Sequence, residues 1–292
     1  MIPLILGILS SAFIFVLFRM FPKYQVETFQ AIVFNYFTAF TCGFLLYGNQ
    51  FDSAAFDNPT WIPYVIVTGI LFISLFLTIG ISAQKNGVAI TSVSTKMSMS
   101  MTMMLMIFAY SESLSGLKIT GIILAIGGVL AMSWPTKNTD PNKEKPVLWL
   151  LFFLFFGSGI LDFILNYVQK YHQAHLPSSL YSAIGFGVAG LVGISILGIQ
   201  IARKKQVFAW RNVLAGILLG IPNYFSIYLL LLSYSTTGWN DSTVLAITNV
   251  SVVLLAAFIG FILFKERFTW LKLVGLIAAI AAITTLYLAS IQ

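Results

Sequence analysis

The chain has 292 residues, of which 59% are hydrophobic and only 9% charged, with a net charge of +7 and a mean hydropathy of +0.93. A soluble domain carries about 25% charged residues, so the composition excludes that class and points to an integral membrane protein. The apolar runs are continuous rather than alternating, which selects helices over a barrel, and the basic residues sit between the runs, where they act as topology signals rather than as a nucleic-acid surface.

Ten stretches approach the roughly 20 residues needed to cross a hydrocarbon core: 2–18, 28–47, 61–83, 88–109, 117–135, 147–169, 178–201, 210–234, 242–264 and 270–290. The first lacks a basic n-region and an A-x-A site, so it is expected to be a retained helix and not a cleaved signal. In the second, Asn35, Thr38 and Cys42 share a face beside Tyr36; Cys42 is the sole cysteine, which excludes an internal disulfide. The third carries a weaker stripe of Ser74, Thr78 and Ser82.

The fourth stretch contains the segment ITSVSTKMSMSMTMMLMIF, with Lys96 deep inside it. An ionisable group at that depth costs a few kcal/mol on insertion scales and therefore faces a cavity or a partner. Two readings follow: a cavity-lining cation for an anionic substrate group, or a structural pair with Asp162 in the sixth span. Helical spacing places Ser92, Met99, Ser100 and Met103 with Lys96, and the serines favour a wet lining. A methionine stripe is ordinarily plain core, although its flexible side chains can also repack around ligands.

The sixth stretch presents Ser158, Asp162, Asn166 and Gln169 as one polar stripe, disfavoured against lipid because each group needs a partner. Asp162 is a candidate for carrying a coupling proton. The seventh contains GFGVAG, which matches a dinucleotide-loop pattern without the strand and helix that such a loop requires; its glycines are expected to allow close helix packing. His172 and His175 lack a clear third ligand, so no metal or other cofactor is expected. In the eighth, Pro222 and Asn223 are expected to interrupt the helix, with Tyr224 adjoining; broken helices near the midplane mark transporter sites. Tyr36, Tyr167 and Tyr224 could stack on a substrate. All six tryptophans, Trp61, Trp134, Trp149, Trp210, Trp239 and Trp270, fall at span ends, as an interfacial belt requires.

The polar linker at 136–146 divides the chain into two halves of five spans, 1–135 and 147–292. Residues 112–126 (ESLSGLKITGIILAI) and 266–280 (ERFTWLKLVGLIAAI) share seven identities in fifteen at an offset of 154. Five is odd, so the second half enters the membrane inverted relative to the first. A glutamate after the fourth span, then L-K-x-x-G and an apolar fifth span, in both halves, resembles the drug/metabolite transporter superfamily and within it the EamA-like family. The resemblance implies an all-α integral membrane protein of ten transmembrane helices in two inverted five-helix repeats, a central cavity, and movement of small polar metabolites. A lysine in the fourth span is similar to the arrangement in the sugar-phosphate and nucleotide-sugar branches. The position matching Lys96 in the second half is Val250, beside Asn249, and a single cation suits a carboxylate better than a phosphate. Glu112 and Glu266 open the fifth and tenth spans, where a carboxylate favours a helix N-terminus, and read as architecture.

Of the 16 Lys and Arg residues, 13 lie in loops after odd-numbered spans and two, Lys118 and Lys170, after even-numbered ones. The positive-inside rule then puts the odd loops in the cytoplasm and both termini outside. No catalytic constellation is evident, and the first span lacks the acid on which small multidrug antiporters depend. The sequence thus reads as a carrier of amino acids or related carboxylates across the cytoplasmic membrane by alternating access, in the export direction, with candidate substrate residues Lys96, Asp162, Asn166, Asn35, Asn223, Ser92, Ser100 and Tyr224. Its expected partners are a small-molecule substrate, with an anionic one as the reading that Lys96 suggests, the lipid bilayer, and a coupling proton or exchange substrate. The alternatives are a nucleotide-sugar or sugar-phosphate exchanger, or a non-transporting scaffold or lipid-handling protein.

Overall fold

The computed structural model describes residues 1–47, 59–110, 115–133, 147–171, 178–239, 241–266 and 269–290. Trp134, Glu112, His172, His175 and the linker at 136–146 lie outside the described residues. Within them the regular structure is helical: α1 (Ile2–Met20), α2 (Thr28–Tyr47), α3 (Ile62–Lys85), α4 (Val88–Lys96), α5 (Ser98–Tyr110), α6 (Gly116–Ser133), α7 (Leu148–Tyr171), α8 (Ser178–Ala202), α9 (Trp210–Thr236), α10 (Asp241–Ile262) and α11 (Trp270–Ser290), with a 3-10 turn at Phe21–Tyr24. Helix ends match the expected spans to within about two residues, because hydropathy alone sets where the chain can leave a hydrocarbon core. Seven of these helices are long and apolar enough to cross a membrane; Gly116–Met132 and Ile247–Ile262 are shorter apolar segments. Large apolar side chains such as Leu45, Phe108, Leu191 and Ile123 are exposed on the outside, a surface suited to lipid.

Small residues decide which helices meet. A Cβ on Gly220 would lie 2.6 Å from the Asn35 carbonyl, and one on Gly216 2.5 Å from that of Ala31, so α9 rests directly on the backbone of α2. The α6–α11 contact is equally close: Gly128 faces Gly275 and Ala279, and Gly275 faces Met132. Gly69 and Gly185 bring α3 against α8, and Gly159 brings α7 onto Met101 of α5. Without a hydrophobic force between helices in lipid, such close backbone approach supplies the packing. The glycines of GFGVAG serve the same purpose: Gly187 and Gly190 touch Phe40 and Phe37 of α2.

One end of the bundle is tied together by hydrogen bonds between loops. Arg19 donates to the carbonyls of Ala83 and Gln84. Gln84 donates to Phe18 O and Thr28 Oγ1. The Asn86 side chain and the Val147 backbone exchange two bonds. Gln30 reaches Gln206, Val207 and Asn212, and Asn212 accepts from Glu27 N–H. These segments follow α1, α3 and α8 or precede α7, so the loops carrying most of the basic residues share one face.

Two expectations are corrected. Trp61 is buried in a cluster with Val65, Val168, Leu180 and Tyr181 and takes no part in an interfacial belt, whereas Trp149, Trp210 and Trp270 are exposed at helix starts. Among the described residues the Glu266 carboxylate makes its hydrogen bond outside its own helix. It accepts the N–H of Val88 at 2.7 Å and so caps α4 from across the bundle.

Candidate functional site

The fourth span is broken, and the break is at its lysine. α4 ends at Lys96, Met97 is a turn residue, and α5 begins at Ser98. Proline is absent here, so the cause lies in the hydroxyls. Ser92, Thr95, Ser98, Ser100 and Thr102 donate to carbonyls three or four residues back. Such back-bonding competes with the helix ladder and bends it. The break leaves Lys96 in the last turn of α4, where a cation complements the helix dipole. Ser92 and Ser100 are both fully buried, with hydroxyl protons donated to the carbonyls of Ala89 and Met97 of their own segment.

The other expected interruption does not occur. α9 runs unbroken through Pro222 and Asn223. A proline removes one N–H from the ladder, but neighbouring helices can hold a transmembrane helix through that gap, and here Gly216 and Gly220 seat it on α2.

Lys96 faces α7. It is half-buried, Asp162 is exposed on α7, and each charge acts on the other through space. No direct salt bridge joins them among the described residues. The approach is set by Gly159, whose missing side chain admits Met101 and the Ser98 carbonyl, and by Thr102 donating to Gly159 O at 3.2 Å. One turn beyond Asp162, Asn166 accepts a hydrogen bond from the Tyr110 hydroxyl at 3.2 Å. Ser158, on the same stripe, is buried. Lys96, Asp162 and Asn166 therefore line a single α4–α5–α7 junction.

A second polar group lies at the α2–α9 contact. Asn35 is completely buried and neither its amide nitrogen nor its carbonyl oxygen has a protein partner; the Asn223 amide nitrogen is buried in the same condition, as is the Ser94 hydroxyl on α4. Buried polar groups are almost always paired, and leaving one unpaired costs about 1–3 kcal/mol. Such groups mark places for water or a ligand. Tyr224 stacks on Tyr228 and packs against Gly43. Tyr36 donates to Phe72 O at 2.5 Å and is structural.

Asn249 is an addition. Buried on α10, it directs its amide at the Met99 sulfur, 3.9 Å away. Its signal was available in the sequence, since at the 154-residue offset it matches Thr95, the neighbour of Lys96. A separate cavity of about 360 Å³ lies between α1, α9 and α10, lined by Leu9, Phe13, Val16, Pro222, Leu255 and Ile259; it is apolar and lies apart from the lysine. Among the described residues no cluster of His, Cys, Asp or Glu is suited to a metal.

Residues 168–288 match the model of the EamA-like transporter family. Over 97% of both chains, the protein is 29% identical to an uncharacterized protein of Haemophilus influenzae. A solved crystal structure with 11% sequence identity shares the fold with a TM-score of 0.58, across 98% of this chain and 99% of that one. The family match covers residues 168–288, and among the described residues seven helices are long and apolar enough to cross a membrane.

Proposed function

We propose that the chain, whose residues 168–288 match the model of the EamA-like transporter family, moves amino acids or related carboxylates across the cytoplasmic membrane by alternating access, as an exporter. The observation that carries the substrate class is Lys96 at the broken end of α4, facing Asp162. A substrate carboxylate can compete with Asp162 for the same ammonium. Asp162 is also the only charge acting on Lys96 among the described residues. A phosphorylated substrate calls for more positive charge than that, which favours carboxylates over the nucleotide-sugar reading.

Two inverted repeats, 1–135 and 147–292, are part of the proposal. The pairing of helices supports it. α2 packs on α9 while α3 packs on α8, α1 meets α10 while α4 and α5 meet α7, and the matching fourth and fifth spans of each half meet directly as α4–α10 and α6–α11. Each of these contacts has its counterpart when the halves are exchanged.

Alternating access draws support from the difference between the two ends. The basic face is tied by loop-to-loop hydrogen bonds and by the Glu266 cap, whereas the other end leaves Asp162 exposed. With the basic face in the cytoplasm, this difference supports reading the two ends as gates of unequal closure. The test is a ligand-panel thermal-shift screen on purified protein. Carboxylates are expected to stabilise the wild type and not Lys96→Ala at unchanged basal stability. Equal stabilisation of both removes Lys96 from the site.

A further inference from the structure

At the end of the bundle opposite the basic face, four tyrosines from three helices converge. Tyr64 starts α3, Tyr110 ends α5, and Tyr167 and Tyr171 lie in the last turns of α7. Ring centroids are 5.5 Å apart for Tyr64 and Tyr167, 4.9 Å for Tyr167 and Tyr171, and 6.1 Å for Tyr110 and Tyr171. A cation already sits on this wall: Lys170 Nζ is 3.9 Å from the Tyr110 ring centroid and 5.5 Å from that of Tyr171. An ammonium within about 6 Å of a ring face is attracted by its quadrupole.

The wall leads inward. Asp162, Asn166 and Lys170 are spaced four residues apart on α7, forming one stripe. Tyr110 touches two of its members, donating to Asn166 and underlying Lys170. From Lys170 to Asp162 is eight residues, or about 12 Å of helix, and Asp162 is exposed at the inner end. Lys170 is itself exposed, so it can leave the rings for water without being stranded.

We propose that this tyrosine wall is an entry subsite for the ammonium group of an organic substrate, with Lys170 as the resident cation that the substrate displaces on its way to Asp162. The subsite rests on the carboxylate reading only in that the two together describe a zwitterion, its ammonium guided by the tyrosines and Asp162 and its carboxylate by Lys96.

Binding of butylammonium and, separately, of butyrate to the full-length protein in nanodiscs tests it by calorimetry. Lys170→Ala removes the competitor and is expected to tighten butylammonium severalfold. Tyr110→Phe keeps the ring and is expected to bind it as the wild type does, and Tyr110→Leu to weaken it about fivefold or more. None of these changes should alter butyrate, which depends on Lys96. Because Lys170 is a surface residue, its alanine variant remains informative if Tyr110→Leu fails to fold. Butyrate binding without butylammonium binding, or butylammonium affinity unchanged by Lys170→Ala, overturns the subsite and leaves the carboxylate reading standing. Butylammonium binding that follows Lys170 and Tyr110 without butyrate binding sustains the subsite and removes the carboxylate reading.

Discussion

Glu266→Ala tests how the two halves hold the basic face together. α4 begins without a capping side chain of its own. Its N-cap is Gly87, at φ 100°, and the first free N–H, on Val88, is met by Glu266 Oε1 at 2.7 Å. The pocket for this carboxylate is formed by two glycines: a Cβ on Gly87 would lie 2.6 Å from Oε1, and one on Gly260 2.8 Å from Oε2. Losing a cap costs about 1 kcal/mol, and losing a charged acceptor beside a helix N-terminus adds about 0.3–1 kcal/mol. Glu266 is half-buried, so a total loss of about 1–2 kcal/mol is expected. The assay is a denaturant or SDS unfolding midpoint in detergent, for Glu266→Ala, Gly87→Ala and the double variant. Gly87→Ala should destabilise at least as much, since it both displaces the carboxylate and strains a left-handed backbone position. The double variant should fall well short of the sum. Wild-type stability of Glu266→Ala, or strict additivity, would refute the cap.

Asp162→Asn is expected to abolish the response of transport to an imposed proton gradient while leaving counterflow of substrate, measured in proteoliposomes; an undiminished response excludes Asp162 as the coupling group. Gly220→Leu should cost about 3 kcal/mol or more by forcing α9 off α2, read as a lower unfolding midpoint, and a neutral result would contradict the close contact. A C-terminal reporter active only in the cytoplasm is expected to stay silent in cells; strong signal would reverse the proposed orientation.

Span positions were legible in the sequence because the membrane reads average hydropathy over about 20 residues, a property local to each segment. The helix break was not. It falls at Met97, where no proline marks it and hydroxyls on both sides bond back to the backbone, while Pro222, the visible breaker, sits in a helix that continues through it. Spacing put Asp162 and Asn166 on one face of α7 and left Lys96 with either Asp162 or a substrate as its partner; the structure brings the lysine and Asp162 within reach of each other's charge. Spacing also placed Ser92 and Ser100 beside Lys96, without showing that their donors go to their own backbone. Spacing says which residues share a face and nothing about what else their hydroxyls can reach. Glu266 shows the same limit. Its recurrence at the start of a span pointed to helix capping, but which helix it caps depends on the packing of α10 beside α4.

The central claim is that Lys96 receives a substrate carboxylate. It is tested most directly by uptake of radiolabelled amino acids and simple carboxylates, alongside sugar phosphates, into proteoliposomes holding wild type, Lys96→Ala or Lys96→Arg. The account predicts uptake of a carboxylate-bearing compound by the wild type, its loss in Lys96→Ala, and partial recovery in Lys96→Arg. Uptake of the same compound by Lys96→Ala at the wild-type rate would contradict it.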